Sequence, residues 1–195
     1  MIDVAFKFIS SELNQYLNNK LSLDVASKDP VVLGNISKLS EAAANNDLEE
    51  KVILTLVNLE EERMLRNPEK FTRVEDRLEQ RNPKIFLNLY CLFAVNKSKY
   101  SEALKYLSFV IQFFQHRSVF NHITDPLLDD KIEKLLLELY TINFEQTNHL
   151  WGTMGGKYYP SALYKMRLIT IDESFKEAEG EMITRVSIEG KGGLN

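Results

Sequence analysis

The residues that come closest to a chemical motif lie in the stretch HLWGTMGGKYYPS, residues 149–161. A phosphate-binding P-loop has the pattern G-x-x-x-x-G-K-[ST], and the helix that follows it points its first N–H groups at the anion. With Gly156-Lys157 as the G-K pair, the first glycine of the pattern is replaced by Trp151 and the magnesium-binding hydroxyl by Tyr158. A proline then stands where the helix should continue. The stretch therefore predicts a turn between a helix and a strand, without a phosphate site.

The densest acidic group of the chain is the run Glu60-Glu61-Glu62, which is followed by Arg63. Alternate side chains of an extended chain share a face, so Glu60 and Glu62 are the two carboxylates that could work together as metal ligands or as a general-acid pair. A solvated strand end explains the same run without any chemistry, and we favour it. Glu60, Glu62 and Arg63 are then candidates for contact with a partner protein.

The other residue types that carry chemistry are few and poorly spaced. The three histidines, His116, His122 and His149, do not have the spacing of metal ligands. The single cysteine, Cys91, excludes an internal disulfide and lies in an apolar segment, where a thiol packs as a small hydrophobic group. Neither a G-x-S-x-G nor a G-x-G-x-x-G motif occurs. We therefore predict a protein that is not an enzyme and that binds no metal and no cofactor.

Composition indicates a protein that is made in the cytoplasm. The 195 residues suffice for one domain with a buried core, and 44% apolar and 27% charged residues are ordinary for a globular domain. The net charge of −4 argues against a nucleic-acid partner, which requires clustered lysine and arginine. The N-terminal segment lacks the features of a signal peptide, and no apolar run is long enough to cross a membrane. If the protein leaves the cell, we expect a route other than the secretory pathway.

Hydrophobic periodicity predicts a single α/β domain. Apolar residues at steps of three and four predict helices, one of them after the capping signal Thr124-Asp125-Pro126, whereas β-rich apolar segments predict strands. The predicted helices are 2–19, 99–117 and 131–151. The predicted strands are 31–36, 52–62, 85–95 and 162–171. We expect a mixed β-sheet covered by these helices, with residues 1–172 as the domain and 173–195 as a polar C-terminal arm.

Helix 99–117 carries more apolar surface than one face of a sheet can cover. One apolar stripe contains Tyr100, Ala103, Leu104, Leu107, Ile111 and Phe114, and a second contains Tyr106, Val110 and Phe113. A helix that is apolar over more than half of its circumference packs between two surfaces. We therefore expect part of it, with Tyr106 and Phe113, to contact a neighbouring subunit.

The connection between the third helix and the last strand is rich in glycine and aromatic residues. Gly152 is expected to end the helix in the left-handed conformation, and Gly155-Gly156 to form the next turn. Trp151 and Tyr158 either close the end of the core or anchor an interface, where tryptophan and tyrosine are common. The residues alone leave both alternatives open.

Two charged or polar segments extend from the predicted domain. Residues 60–84 are more than half charged and predict a solvated hairpin extension, either a mobile loop or a partner-binding element. Residues 181–189 alternate like a strand, with Met182, Val186 and Ile188 on one face. Such a strand either returns to the edge of its own sheet or adds to the sheet of another subunit by β-augmentation.

Seven segments of the chain, in their order, carry a family resemblance. They are ELNQYL, VVLGNI, VILTLVNLEEERMLRN, NPKIFLNLYCLFA, YSEALKYLSFVIQFF, IEKLLLELY and EQTNHLWGTMGGKYYPSALYKMRLITI. Over about residues 8–172, this succession closely resembles the cap, or tail-terminator, proteins of extracellular contractile injection systems. These systems are phage-tail-like particles of the antifeeding-prophage and virulence-cassette type.

The resemblance implies a tail-terminator-like α/β fold and a homo-oligomer in the form of a hexameric ring. The ring would lie on the last layer of the inner tube and sheath, at the end away from the baseplate, and would stop their polymerisation. The implied partners are the inner-tube and sheath proteins, with no nucleic acid and no membrane. The protein would become extracellular when the particle is released. The family supplies no catalytic residue.

Two functions from other classes remain compatible with the residues. The protein could be a cytoplasmic adaptor or assembly chaperone that binds one partner protein as a monomer or dimer. It could also be a hydrolase that uses the Glu60–Glu62 carboxylates.

Overall fold

The computed structural model describes residues 1–21, 29–40, 46–62, 71–74, 77–80, 86–170 and 179–180. The helices are α1 Ile2–Leu21, α2 Tyr100–His116 and α3 Phe144–Thr153. The longer strands are β2 Lys51–Glu61, β5 Phe86–Asn96, β7 Ile132–Leu139 and β8 Ser161–Thr170. The shorter strands are β1 Val31–Leu33, β3 Phe71–Val74, β4 Arg77–Gln80, β6 Val119–Asn121 and β9 Glu179–Gly180. None of the helices in the described ranges is long and apolar enough to cross a membrane.

Six strands form the main sheet in the order β1-β2-β5-β8-β7-β6. The pair β1–β2 is parallel and all the other pairs are antiparallel, so the predicted mixed sheet is confirmed. Strand β2 and strand β5 share a long register from Lys51↔Asn96 to Glu61↔Leu87, interrupted by a bulge between Leu56 and Asn58. The predicted α/β domain therefore centres on the two apolar strands that its sequence makes most evident.

Strand β5 is buried on both faces. On one face Leu89, Cys91 and Phe93 pack in the large core cluster beneath α1 and α2. On the other face Leu92 and Ala94 pack in a smaller cluster with residues outside β5. Alternate side chains of a strand point to opposite faces, so the sheet is a layer between two covers.

Aromatic rings fill the larger cluster where α2 crosses the sheet. The ring of Phe93 lies 5.2 Å from that of Phe114 and 5.6 Å from that of Tyr164, in tilted and edge-to-face geometry. Phe113 packs against Phe114 at 5.0 Å. Each such pair adds about 0.5–1.5 kcal/mol beyond the burial of its area, which fixes α2 on β5 and β8.

The outer edge of β1 is closed by a side chain of α1. The amide nitrogen of Asn14 donates to the carbonyl oxygen of Val31 at 2.9 Å, and the N–H of Val31 donates to Asn14 Oδ1 at 2.7 Å. The buried hydroxyl of Ser10 donates to the same carbonyl at 3.3 Å. Asn14 thus imitates a neighbouring strand and satisfies polar groups that an edge would leave open.

The prediction of one helix over 131–151 is wrong. Residues Ile132–Leu139 form strand β7, and only Phe144–Thr153 are helical. The apolar spacing misleads because a register shift between Ile132 and Lys134 interrupts the alternation. The strand therefore buries Ile132, Leu135 and Leu137. The apolar residues Ile132, Leu135, Leu136 and Leu139, however, have the i, i+3, i+4, i+7 spacing of a helix.

Two expected helix signals have other roles in the structure. Thr124-Asp125-Pro126 does not begin a helix but forms the turn between β6 and β7. Gly152 lies inside α3, and the left-handed residues are Gly155 and Gly156 instead. Helix α3 begins after Asn143, which caps it through a capping box with Gln146.

Within the segment 60–84, predicted as a charged hairpin extension, the described residues 71–74 and 77–80 belong to a separate small sheet. Strands β3 and β4 pair antiparallel from Phe71↔Gln80 to Val74↔Arg77. Strand β9 adds to β4 with Glu179 opposite Glu79 and Gly180 opposite Leu78. The arm that follows β8 therefore pairs with its own chain at 179–180.

The turn between β6 and β7 is held by Arg117. One guanidinium nitrogen donates to Glu12 Oε2 of α1 at 2.7 Å, and the other is paired with the buried carboxylate of Asp125. The guanidinium also lies 4.6 Å from the ring centre of Phe120. Asp125 in turn accepts from the N–H of Asn121 at 3.2 Å and from the hydroxyl of Thr124 at 2.6 Å. One arginine therefore ties α1, β6 and this turn together.

We expect Arg117→Ala to lower the free energy of unfolding by about 2–3 kcal/mol, because it leaves the Asp125 carboxylate buried without its counter-ion. Urea denaturation followed by circular dichroism measures the change. Arg167→Ala is the matched control, since the Arg167–Glu138 pair at 3.2 Å has both side chains about half exposed and is worth less than about 1 kcal/mol. An equal loss in both variants would contradict the role given to Arg117.

Candidate protein-binding surface

The predicted acidic residues lie at the end of β2, where they bond side chains of β5. Tyr90 donates its hydroxyl to Glu60 Oε2 at 2.9 Å, and Asn88 donates its amide to Glu62 Oε2 at 3.2 Å. Burial and then the bond to Glu60 raise the pKa of Tyr90 to about 12, so its hydroxyl stays a donor at neutral pH. The two carboxylates are thus used in a ladder across the strands.

This ladder continues past the neighbouring strand β8 to the end of β7 through an aromatic contact. The ring of Tyr140, just after β7, meets that of Tyr90 edge-on at 5.0 Å. Among the described residues, no group of three or more histidine, cysteine or acidic side chains is placed to hold a metal ion. What the acidic strand end offers is a polar surface beside the end of β7.

Trp151 and Tyr158, predicted together, have different surroundings. Trp151 is buried with Ile36, Leu92 and Ala94 in the smaller core cluster, whereas Tyr158 is 62% exposed. The two rings meet edge-on at 5.5 Å. Trp151 therefore closes the core, and Tyr158 presents an aromatic face to the outside.

The glycine turn before Tyr158 is built to end a helix. Gly155 and Gly156 have φ angles of 97° and 76°, in the left-handed region that residues with a side chain rarely adopt. The N–H of Gly156 donates to the carbonyl oxygen of Trp151 at 2.7 Å. Lys157 places its ammonium 5.5 Å from the ring centre of Tyr159. This geometry agrees with the prediction of a turn rather than a phosphate loop.

An open cleft of about 820 Å³ lies where β7 leaves the sheet. After Leu139 the chain turns away into α3, so the first residues of β8 lose their neighbour on that side. The N–H of Tyr140 still donates to the carbonyl oxygen of Leu163 at 2.8 Å. By the alternation of strand groups, the backbone of Ser161 then faces the cleft, and we name this space the apolar cleft.

Large apolar side chains form the rim of the apolar cleft. Phe144 is 96% exposed, because it is the first residue of α3 and the capping box of Asn143 and Gln146 turns it outward. The other exposed apolar residues that line the cleft are Ile111, Leu139, Tyr140 and Tyr158. Isolated exposed apolar residues are ordinary, but a contiguous group of this kind marks a binding surface.

The apolar surface of α2 divides differently from the prediction. Tyr106 and Phe113, expected to contact a neighbour, are buried in the core of their own chain. The exposed stripe consists instead of Tyr100, Leu104 and Ile111, with Leu107 partly buried. Ile111 also lines the apolar cleft. This α2 stripe is therefore continuous with the cleft, and the excess of apolar residues noticed in the sequence lies on it.

Four predicted contact residues fall in parts of the chain that the structure does not describe. Arg63 and the three residues of the C-terminal arm, Met182, Val186 and Ile188, lie outside the described residues. Among the described residues, Leu139, Tyr140 and Phe144 were not predicted as contact residues, because the sequence pattern placed them in one long helix. A signal for Phe144 was present, since it follows the cap Asn143 directly.

Two cryo-EM structures share this fold. The first is described as the PVC sheath/tube terminator of an extracellular contractile injection system in the extended state. It matches with a TM-score of 0.54 and 12% identity, over 94% of this chain and 64% of that one. The second is the anti-feeding prophage cap, a tube-terminating cap, with a TM-score of 0.56 and 13% identity, over 93% of this chain and 60% of that one. The chain thus spans less than two thirds of each.

The fold is that of the terminators of contractile injection particles. The model of the family described as the Pvc16 N-terminal domain matches residues 7–185, and the chain belongs to this family. The resemblance drawn from the order of the sequence segments is therefore confirmed. A comparison with curated protein sequences gives no significant match.

The division between core and surface predicts opposite effects at two aromatic residues. We expect Trp151→Ala to lower the free energy of unfolding by about 3–5 kcal/mol, because it leaves a cavity under α3. Phe144→Ala should change it by less than about 0.5 kcal/mol, because the side chain is exposed. Chemical denaturation of both variants measures the difference. A large loss of stability in Phe144→Ala would contradict the assignment of Phe144 to a free surface.

Proposed function

We propose that this protein is a structural cap that binds the end of the inner tube and sheath of a contractile injection particle and stops their growth. The observation that carries the proposal is the match of 93–94% of this chain to two terminator structures. Membership in the Pvc16 N-terminal domain family supports it independently of the fold. The protein acts in this proposal by binding and not by catalysis.

A cap stops growth by binding the last layer with one surface while offering no copy of the surface that a further layer needs. A tube end has rotational symmetry, so a ring of caps matches it, and we propose a hexameric ring of this chain. A closed ring has head-to-tail contacts, in which each copy uses two different patches. The apolar cleft with the α2 stripe is one patch of suitable character.

The size of this surface agrees with a stable protein partner. Tyr100, Tyr140, Phe144 and Tyr158 are 63%, 39%, 96% and 62% exposed. If a fully exposed aromatic side chain contributes 150–250 Å², these four offer on the order of 500 Å². A specific interface buries about 800 Å² on each partner. With the aliphatic residues of the α2 stripe, the surface approaches that requirement.

Deletion of the gene in a strain that makes the particles tests the proposal. We expect tubes and sheaths of abnormal length, or tubes that have lost their sheath, because nothing occupies the terminal layer. Electron microscopy of purified particles gives the length distribution. Normal lengths with intact sheaths in the deletion strain would contradict the cap function.

Complementation separates the binding surface from the fold. Wild-type protein and the control Ser11→Glu/Gln15→Glu, which adds the same two negative charges at exposed positions of α1, should restore normal length. Phe144→Glu/Tyr158→Glu should fail to restore it while keeping its thermal midpoint, because both residues are exposed. Full complementation by the double variant would show that the apolar cleft is not used.

A further inference from the structure

A second apolar patch lies on the turn between β6 and β7. Ile123 is 94% exposed and Leu127 is 81% exposed, although both are large and aliphatic. They stand among turn-forming residues, where solvated polar side chains are the usual choice. We name this pair the knob.

The knob is presented by a rigid turn. Between its two residues, Asp125 is buried and holds Asn121 and Thr124 by hydrogen bonds, and Arg117 ties it to α1. Leu128, next to Leu127, is buried in the main core. A turn fixed in this way loses little conformational freedom on binding, so its exposed side chains are preorganised for a partner.

The knob and the apolar cleft lie at opposite ends of strand β7. The turn that carries the knob leads into Ile132, the first residue of β7, and the cleft opens beyond Leu139, the last. Eight residues of strand span about 25 Å. A single copy therefore cannot fill its own cleft with its own knob, whereas the next copy in a row can.

Charges beside the two patches are complementary. Asp129 and Asp130 follow the knob, and Asp130 is exposed. The rim of the cleft carries exposed Lys157 between two residues of its lining, Gly156 and Tyr158. Glu145, exposed in the first turn of α3, is the acidic group on that side. Exposed Asp130 beside the knob and exposed Lys157 beside the cleft can pair when the two patches meet, and Lys131 and Glu145 are the neighbouring charges of opposite sign.

We propose that the knob of one copy, Ile123 and Leu127, inserts into the apolar cleft of the next copy, against Phe144 and Tyr158. This inference rests on the proposed ring, and it names the two patches that the ring needs. The contact is heterologous, so each copy donates a knob on one side and receives one on the other. It also fixes the direction in which copies follow one another around the ring.

Disulfide trapping in the full-length double variant Leu127→Cys/Phe144→Cys tests the contact. A disulfide needs Cα atoms closer than about 7 Å, so the two cysteines of one chain cannot join across the length of β7. The native Cys91 does not interfere, because it is buried in the core and burial raises the pKa of its thiol. Trapping collects even a short-lived contact, so the isolated chain at high concentration is sufficient.

The expected result is loss of the monomer band on mild oxidation. It should be replaced by a series of cross-linked products that ends in a closed ring and returns to monomer with reductant. Each single variant alone should stay monomeric, and a mixture of the two should give only a dimer. The control pair Leu127→Cys/Leu33→Cys, with its second cysteine at the opposite edge of the sheet, should stay monomeric. An unchanged thermal midpoint shows that the variants are folded.

Three outcomes would overturn the inference. Monomer alone in the folded double variant means that the knob does not meet the cleft. A dimer in Phe144→Cys alone means an isologous contact between two clefts. Cross-linking through Leu33 means that the knob binds the other edge.

The proposed function can fail separately from this contact. If trapping fails while Phe144→Glu/Tyr158→Glu still leaves particles uncapped, the cleft binds the tube or sheath and the cap function stands. If trapping succeeds but deletion leaves particle length unchanged, the contact between copies is right and the cap function is wrong.

Discussion

Every other element of this protein is arranged around strand β5, which must be covered on both faces. Its alternate residues Leu89, Cys91 and Phe93 point to one side and Leu92 and Ala94 to the other, and all are buried. The hydrophobic effect acts on each face independently, at roughly 25 cal/mol per Å² of apolar area removed from water. Two covers are therefore required, and they are made from different parts of the chain. Helices α1 and α2 cover the first face, and α3 with the 3₁₀ turn Ile36–Ser40 covers the second.

The unequal size of the two covers produces the surface that we assign to binding. Helix α3 has only 10 residues, and of these only Trp151 is buried. Because α3 is short, it does not cover the start of β8, where β7 has already ended. The apolar cleft lies at this uncovered place. Helix α2 differs from α3 in that it has more apolar surface than the sheet beneath it can bury, so part of that surface stays exposed. At the edge formed by β1, the side chain of Asn14 already bonds the backbone N–H and carbonyl groups of Val31. The cleft side is thus the side prepared for a partner.

The parts of the fold that could be predicted are those in which periodicity is undisturbed. Helices α1 and α2 and strands β2, β5 and β8 agree with the sequence to within about two residues at their ends, as is usual for such boundaries. Strand β7 could not be recognised, because its apolar residues have the spacing of a helix and a bulge interrupts the alternation of the strand. Strand β1 was predicted over 31–36 but ends at Leu33, and β6 was not predicted because three residues are too few for a pattern. Their place is decided by Val31↔Val52 and Phe120↔Leu135, which are tertiary contacts.

The sequence could predict that an apolar surface is available for a partner, but not which residues form it. An excess of apolar residues on α2 and the aromatic residues near Gly155 indicate partner contact. Which of them are exposed depends on how α2 is rotated over the sheet, and periodicity alone does not give that rotation. Tyr106 and Trp151 therefore prove to be core residues, whereas Leu104 and Tyr158 are exposed. Phe144 and the knob were missed because their segments were assigned to one helix and its capping signal.

The central claim is that this chain forms the end of a contractile particle, and its location on the particle tests that claim most directly. Gold labelling of an epitope-tagged chain in purified, intact particles, viewed by electron microscopy, measures the location. The account predicts label at one end only, the end away from the baseplate, in sheathed particles of normal length. Label along the sheath, label at the baseplate, or particles of normal length without any label would contradict it.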